Sequence, residues 1–287
     1  MDNKMHELLK MYLEENDIKD EKELEKVIQE FMNDIDNGLL DTYENGPMDD
    51  AYELLEKADN AKSKKQAIKY AKEALEVCPD CFDAVLFLAD LEDNIIKKEK
   101  ILDEGLEREK ERLTEEGYFE EDNIGIFYGM FETRPYIRGL YIKALLSAKL
   151  GKMKIARDVC EEILRLNEND NTGARYLLMA VYSFLEEEDN VLKLYKKYKE
   201  EDLMMLAPIM ILYYKQSNYK KAKEYLKKID KVNPNFRKFF SKDIEIDEDN
   251  SLGYYSHGDI TEVIAWVEAY DFLIDTVGNI GEFILEN

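Results

Sequence analysis

Histidine and cysteine, which most often supply nucleophiles, bases and metal ligands, are scarce in this sequence. The only histidines, His6 and His257, stand near opposite ends of the 287 residues, so a Ser-His-Asp or Cys-His arrangement would require the two ends to meet. The spacing of Cys78-Pro-Asp-Cys81 is that of a metal or redox site. Zinc needs four ligands, however, and no second pair or neighbouring histidine completes the set. We therefore predict buried turn cysteines, and no metal or cofactor.

Carboxylates are the remaining groups that could perform acid–base chemistry. The chain has 64 Asp and Glu, so carboxylate pairs arise by chance at many places and none is singled out. The glycine-rich patterns that cradle phosphates are absent. We predict that the protein is not an enzyme, with a carboxylate-based enzyme or a regulatory subunit as the alternative.

The charge of the chain is strongly negative but uneven. The net charge of −24 should repel nucleic acid and anionic lipid. From Lys193 to Lys238, however, 13 Lys and Arg stand against 5 Asp and Glu, a local charge of +8. This stretch is either the solvated face of two helices or a docking patch for an acidic partner.

Cysteine usage and hydropathy indicate the compartment. Three cysteines are an odd number, which suggests no disulfide framework and fits a reducing cytosol. The N-terminal residues lack the sustained apolar core of a signal peptide, and no window is apolar enough to span a membrane. The predicted location is cytoplasmic.

Local propensity points to helices almost throughout. The chain has only 5 Pro and 13 Gly, and helix formers dominate over alternating β-branched runs. The helical segments fall into a pattern of about 34 residues, in which small residues let two helices approach closely and proline ends the second. The pattern fits Met48–Cys81 without a gap, with Ala67, Ala74 and Pro79 at its fixed positions.

Two further segments fit the same pattern. Ile137–Asp170 has Ala144, Gly151 and Ala156 in place, and departs from the pattern at Glu168, where proline is usual. Leu203–Phe236 fits most clearly, and its matching residues are Tyr213, Tyr219, Ala222, Leu226 and Pro234. In this last segment Pro208 should kink the first helix or delay its start by one turn.

These segments resemble the tetratricopeptide repeat (TPR), and degenerate units at Phe82–Gly117 and Asn171–Lys199 make five in all. The resemblance implies an all-α fold, a right-handed superhelix of antiparallel helix pairs, with an unrelated HEAT-like array as the alternative. It implies an N-terminal helical extension over residues 1–47, repeats over 48–236 and a C-terminal helical cap over 237–287. We expect Ala67, Ala156 and Ala222 to be buried.

A more specific resemblance rests on the stretch ETRPYIRG, which is followed by LNENDNTGARYLL. Both are similar to motifs of a group of bacterial TPR proteins, and the likeness covers most of residues 48–285. The sequence departs from that group at Glu168 and at Phe283, where a tryptophan-containing motif is expected. This resemblance strengthens the fold prediction and implies no activity.

TPR proteins bind partners in the concave groove that their first helices line. The resemblance therefore implies an interaction scaffold that binds a protein or peptide, but neither nucleic acid nor membrane. A self-associating structural protein is the alternative, and the sequence predicts no oligomeric state. Arginine and tyrosine at these positions would suit a peptide with carboxylates, although the same residues could pack between repeats. The candidate groove residues are Arg134, Arg138, Tyr141, Arg175, Tyr176, Tyr182, Tyr214 and Lys215.

Overall fold

The computed structural model describes residues 9, 12–13, 16, 18, 20–37, 46–241 and 255–287, and His6 lies outside them. Within these ranges the chain forms fourteen α-helices and two short 3-10 turns, and no β-strand. The helices are α1 (Glu21–Asp36), α2 (Pro47–Asp59), α3 (Lys64–Val77), α4 (Phe82–Leu91), α5 (Ile95–Glu115), α6 (Arg134–Lys149), α7 (Met153–Leu166), α8 (Ala174–Phe184), α9 (Glu188–Tyr198), α10 (Leu203–Lys215), α11 (Tyr219–Val232), α12 (Asn235–Ser241), α13 (Ile260–Asp275) and α14 (Ile280–Glu286).

The chain divides into two compact units, Met1–Gly105 and Leu106–Asn287. In the first unit α2 packs against α3, and α3 packs against α4. Small residues at these contacts let the helices approach closely. The two cysteines of the CxxC pair are free thiols in this core, where they flank the turn between α3 and α4. The fully buried residues of this core also include Ala51, Ala74 and Ala84.

Gly105 allows a close approach between α4 and α5, the two helices of the degenerate unit Phe82–Gly117. A Cβ atom at this position would lie 2.6 Å from Val85 Cγ1 and 3.1 Å from Phe82 Cε2. Gly105→Ala would gain about 1 kcal/mol of helix propensity, but overpacking costs about 1–3 kcal/mol. We expect a net loss of about 1 kcal/mol in the free energy of unfolding, measured by urea denaturation.

Gly129→Ala is the control for this substitution, because no atom lies within 4 Å of the added Cβ and its φ is not positive. It should leave the unfolding midpoint nearly unchanged. An unchanged or higher stability of Gly105→Ala would show that α4 and α5 do not pack as closely as described.

The second unit contains three successive helix pairs, α6–α7, α8–α9 and α10–α11. We call α6, α8 and α10 the first helices and α7, α9 and α11 the second helices. Each first helix packs against its own second helix and against the next first helix, and α7 also packs against α8. The arrangement confirms the predicted TPR-like, all-α fold, because neighbouring pairs bury one another's apolar faces. Ala67, Ala156 and Ala222 are 6%, 0% and 0% exposed, as expected.

One backbone hydrogen bond recurs at the end of each first helix and aligns the three pairs. The carbonyls of Ser147, Tyr182 and Tyr213 accept from the N–H groups of Lys152, Glu187 and Asn218, respectively. The turn residue that follows the first helix has a positive φ each time, at Gly151, Glu186 and Ser217. Equivalent residues are therefore 35 positions apart between the first two pairs and 31 positions apart between the last two.

The structure shows what happens at Pro208 and at Glu168, the position where the pattern usually has proline. Helix α10 begins at Leu203 with Asp202 as its N-cap, so Pro208 lies inside the helix and does not delay its start. Glu168 stands where proline is usual, and its backbone N–H donates to the carbonyl of Gly125 at 2.9 Å. Proline has no N–H to donate, so the departure at Glu168 provides a hydrogen bond that proline would remove.

The C-terminal helices pack onto the repeats. Helix α13 begins at the N-cap Asp259 and contacts the first helices α8 and α10 as well as α12. Trp266 is fully buried, and its ring lies 5.8 Å from that of Phe236 in α12. Helix α14 packs against α12, and its Phe283 contacts the ring of Tyr214 with 4.8 Å between centroids. The last helix pair is thus covered by the end of the chain.

Candidate partner-binding surface

The side of α6, α8 and α10 that bears Tyr141, Tyr176 and Ala207 is called here the first-helix face. These three residues are equivalent by the spacing of the turn hydrogen bonds. Tyr141 and Tyr176 are both half-buried. Burial raises the pKa of the Tyr141 phenol to about 12. The Tyr176 hydroxyl lies 3.1 Å from the Asp202 carboxylate and 3.2 Å from that of Glu200.

Helix α6 carries a stripe that is accessible at its two ends and half-buried at Tyr141 between them. Arg138, Tyr141 and Leu145 follow one another at helical spacing, so they share one side of the helix. Arg138 is exposed, and Leu145 is 38% exposed. The residues equivalent to Leu145 in the next two first helices, Ala180 and Ile211, are 0% and 1% exposed. The first-helix face is therefore open at α6 and covered at α8 and α10.

Helix α13 is the element that covers this face. Its Phe272 contacts Phe184 at the end of α8, with 5.9 Å between ring centroids. Tyr270 and Leu273 are buried, and burial raises the pKa of the Tyr270 phenol well above its usual value.

Arg134 lies at the N-terminus of α6, one helical turn before Arg138. Its Nε donates to the carbonyl of Tyr128 at 2.7 Å, and its guanidinium lies 4.1 Å from the centroid of the Phe131 ring. These contacts fix the side chain at the start of the helix. Arg134 is half-buried, so part of its side chain faces solvent.

Arg175 uses its donors inside the chain. Its Nη1 donates to Asp170 at 2.8 Å, and its Nε donates to Glu200 at 2.8 Å. The Asp170 side chain is 0% exposed and the Arg175 side chain 16% exposed. The guanidinium also lies against the rings of Tyr176 and Tyr198, with 4.1 Å and 5.3 Å to their centroids. Arg175 therefore connects the loop before α8 with the end of α9 and the loop that follows it.

Two other predicted residues contact the end of the chain or a helix terminus. The Tyr214 hydroxyl donates to the carbonyl of Gly278 at 3.1 Å. The Lys215 ammonium donates to the carbonyls of Ser183 and Phe184, the last residues of α8. A cation at this end complements the helix dipole and satisfies carbonyls that have no partner within the helix.

Tyr182 lies apart from the other seven predicted residues. It is 7% exposed, and its hydroxyl donates to Glu161 of the second helix α7 at 2.8 Å. Its equivalent, Tyr213, likewise donates to Glu188 of the preceding second helix α9 at 3.0 Å. The side chain therefore faces the second helices and not the first-helix face. Equivalent residues of α6 and α8 are 35 positions apart and not the predicted 34, and one residue of shift rotates a helical position by about 100°.

Leu145 and the aromatic residues of the C-terminal segment were not among the predicted surface residues. Helix α13 reads ITEVIAWVEAYDFLID, which has apolar residues on more than one side and four acids among its 16 residues. A helix that is apolar nearly all round must be buried on several sides. This pattern is the signal that could have shown that α13 packs onto the repeats.

A buried carboxylate anchors the start of α13. Glu262 is 1% exposed and accepts from Asn233 Nδ2 at 2.8 Å and from the N–H of Gly258 at 2.9 Å. His257 Nδ1 lies 3.1 Å from the other oxygen of the carboxylate. These hydrogen bonds connect the C-terminal segment to the end of α11, so the carboxylate serves the fold.

Among the residues that the structure describes, no three His, Cys, Asp or Glu side chains converge in a way that could hold a metal ion. Within 20–37, 46–241 and 255–287, no helix combines the length and the hydropathy that a bilayer span requires.

Comparison with known proteins supports the repeat assignment at one place. The family model of the tetratricopeptide repeat matches residues 211–236, which span the end of α10, all of α11 and the first residues of α12. No curated protein matches the chain. The matched segment coincides with the helix pair that fits the repeat pattern most clearly in the sequence. The fold is an all-α array of TPR-like helix pairs. The similarity to the family is shown for the pair α10–α11.

Proposed function

We propose that this protein is an interaction scaffold that binds a segment of a partner protein on the first-helix face. TPR-like repeats act by binding, and the match at residues 211–236 supports that general role. The observation that carries the proposal is the difference in burial along this face. Leu145 is 38% exposed, whereas its equivalents Ala180 and Ile211 are buried.

The open stripe on α6 has the chemistry of a peptide site. The exposed guanidinium of Arg138 offers forked donors to a carboxylate. Tyr141 offers an aromatic surface with a hydroxyl at its end, and Leu145 offers apolar area one turn further on. Aromatic, arginine and apolar groups in one patch favour an extended or helical peptide with an acidic residue and an apolar anchor.

Helix α13 gives an internal example of how this face binds. It is a helix with aromatic residues, Trp266, Tyr270 and Phe272, and it packs onto α8 and α10. A partner segment beside it would continue the same packing onto α6. This is the helix-in-groove mode of recognition, in which aromatic and aliphatic anchors on one side of a helix fill an apolar surface.

Charge and cysteine state support the remaining parts of the proposal. A net charge of −24 disfavours nucleic acid and anionic membrane as partners. All three cysteines are free and buried, which supports a cytoplasmic location. The ETRPYIRG motif supports a place among the bacterial TPR proteins that share it. We assign no catalytic role.

The test uses peptides selected from a random display library against the full-length chain. We expect selected peptides to carry an acidic residue and an apolar anchor. Arg138→Glu should weaken their binding about tenfold, because the substitution replaces an attractive charge pair by a repulsive one. Exchanging the peptide's acidic residue for lysine should restore binding to Arg138→Glu.

Lys154→Glu is the matched control, since it makes the same charge change at an exposed position of the second helix α7. The affinity of this variant for the selected peptides should stay within about twofold of that of the wild type. Equal weakening by both substitutions would mean that only the overall charge matters. That result, or undiminished binding to Arg138→Glu, would refute the proposed site.

A further inference from the structure

The cleft between the second helices α7 and α9 is a feature of the second unit that the proposed function does not use. Its volume is about 390 Å³, and it lies on the side of the unit that Tyr182 faces. The floor consists of Tyr182, Leu164, Leu178 and Leu194, all less than 9% exposed. The α9 wall carries two exposed lysines and no acid, and the α7 wall carries Glu161 and Arg165.

The same position in the next helix pair is filled by the chain itself. There Tyr213 is equivalent to Tyr182, and two side chains of α11 cover it. The ring of Tyr225 lies 5.7 Å from that of Tyr213, and the ammonium of Lys221 lies 4.4 Å from the ring centroid. Lys221 also pairs with Glu188 at 3.2 Å.

The α7–α9 cleft is open because α9 has smaller side chains at these places. With the offset of 31 residues, Leu194 stands where α11 has Tyr225, and Asn190 stands where it has Lys221. Leucine lacks the ring that would lie over Tyr182, and the asparagine amide is taken by Glu187 at 2.8 Å. The aromatic ring that completes the neighbouring site is missing here.

The charges around the opening of the cleft favour acidic groups in a ligand. Lys193 and Lys197 extend from α9 on the same side, four positions apart, and both are exposed. They begin the basic stretch of 13 Lys and Arg against 5 Asp and Glu, in a chain whose net charge is −24. The rest of the surface repels polyanions, so a short acidic segment suits this stretch better than nucleic acid or a lipid surface.

We propose that the α7–α9 cleft is a second docking site, and that it takes an acidic peptide segment with an aromatic anchor. The aromatic ring fills the space over Tyr182 that Tyr225 fills in the next pair. Carboxylates beside it pair with Lys193 and Lys197. This site lies on the second helices and is independent of the first-helix face.

The test measures fluorescence anisotropy of labelled peptides of about 15 residues with one central Phe among Glu and Asp, against the full-length chain. We expect saturable binding that weakens as salt is raised. Replacing the Phe by Ala should abolish it, and replacing the acids by Lys should do the same. Poly-glutamate, single-stranded RNA and vesicles of anionic phospholipid serve as comparison probes. Equal binding by any of them would overturn the proposal.

Two variants locate the binding. Leu194→Tyr reproduces the arrangement of Tyr225 over Tyr213, so it should fold and close the cleft, and peptide binding should fall at least about tenfold. Leu194→Met keeps the volume of leucine and should bind like the wild type. Lys193→Glu with Lys197→Glu should also lose about tenfold, whereas Lys154→Glu should not. Circular dichroism confirms the fold of each variant, and wild-type affinity in a folded Leu194→Tyr chain would overturn the proposal.

Discussion

Trp266→Ala should lower the free energy of unfolding of the second unit by about 4 kcal/mol, the largest effect that we expect of any single substitution. Trp266 is the only tryptophan of the chain, and it is fully buried where α13 meets the repeats. Removing it leaves a cavity and takes away the ring contact with Phe236. Urea denaturation followed by far-ultraviolet circular dichroism measures the loss.

Trp266→Phe is the matched control for this cavity. It keeps most of the aromatic packing and removes the indole Nε1, which finds no hydrogen-bond partner among the described residues. A buried N–H without a partner is unfavourable, so its removal offsets part of the lost volume. We expect a loss of no more than about 1.5 kcal/mol for Trp266→Phe. A loss below about 1 kcal/mol for Trp266→Ala would mean that α13 does not dock on the repeats.

Arg175→Ala should cost about 3 kcal/mol, because it leaves the buried carboxylate of Asp170 without its cation. Asp170 is 0% exposed at its side chain, and Arg175 also holds Glu200 and the ring of Tyr176. The Asp170 carboxylate would keep its hydrogen bonds from the backbone N–H groups of residues 174 and 175. Urea unfolding at neutral pH measures the effect.

Arg165→Ala is the control, because Arg165 makes a comparable forked contact with Glu162 but is 49% exposed at its side chain. An exposed ion pair contributes less than about 1 kcal/mol. Arg175→Lys should recover only part of the stability, since an ammonium cannot reproduce the forked geometry. Equal losses for Arg165→Ala and Arg175→Ala would contradict the buried role of Arg175.

The sequence was informative wherever a repeat was complete. Alanines at helix crossings predicted the pairs α2–α3, α6–α7 and α10–α11, because close packing leaves few residue types at those places. Prolines after the second helix supported the first and last of these pairs. The cysteines of the CxxC pair are buried at a turn, as predicted. The second helix of the degenerate unit was harder to interpret, because Gly105 performs the role of alanine at another position.

The candidate site was less predictable, because it depends on the rotation of each helix. The spacing of 35 residues between α6 and α8, one more than the pattern, moved Tyr182 from the predicted groove to the side of the second helices. Other predicted residues, such as Arg175 and Lys215, contact groups within the chain that are distant in sequence. Only the folded structure shows which cations are buried against groups of the chain, and which positions of the first-helix face, such as Arg138 and Leu145, are exposed.

The surface on which α13 packs was the feature of the fold that the sequence predicted least well. The sequence predicted helices over residues 237–287, and the structure has α13 and α14 in this range. Which surface a terminal helix covers depends on contacts with α8 and α10, about 60 to 90 residues away in sequence. Such long-range packing leaves no periodic mark in the local sequence, apart from the apolar residues on several sides of α13.

Amide hydrogen exchange of the full-length chain, with and without a selected peptide that requires Arg138, tests the docking surface most directly. We predict slower exchange in Arg134–Lys149, the helix that carries the open stripe. Exchange in the second helices α9 and α11 should be unchanged. Protection confined to the second helices, with Arg134–Lys149 exchanging as in the free protein, would contradict the assignment of partner binding to the first-helix face.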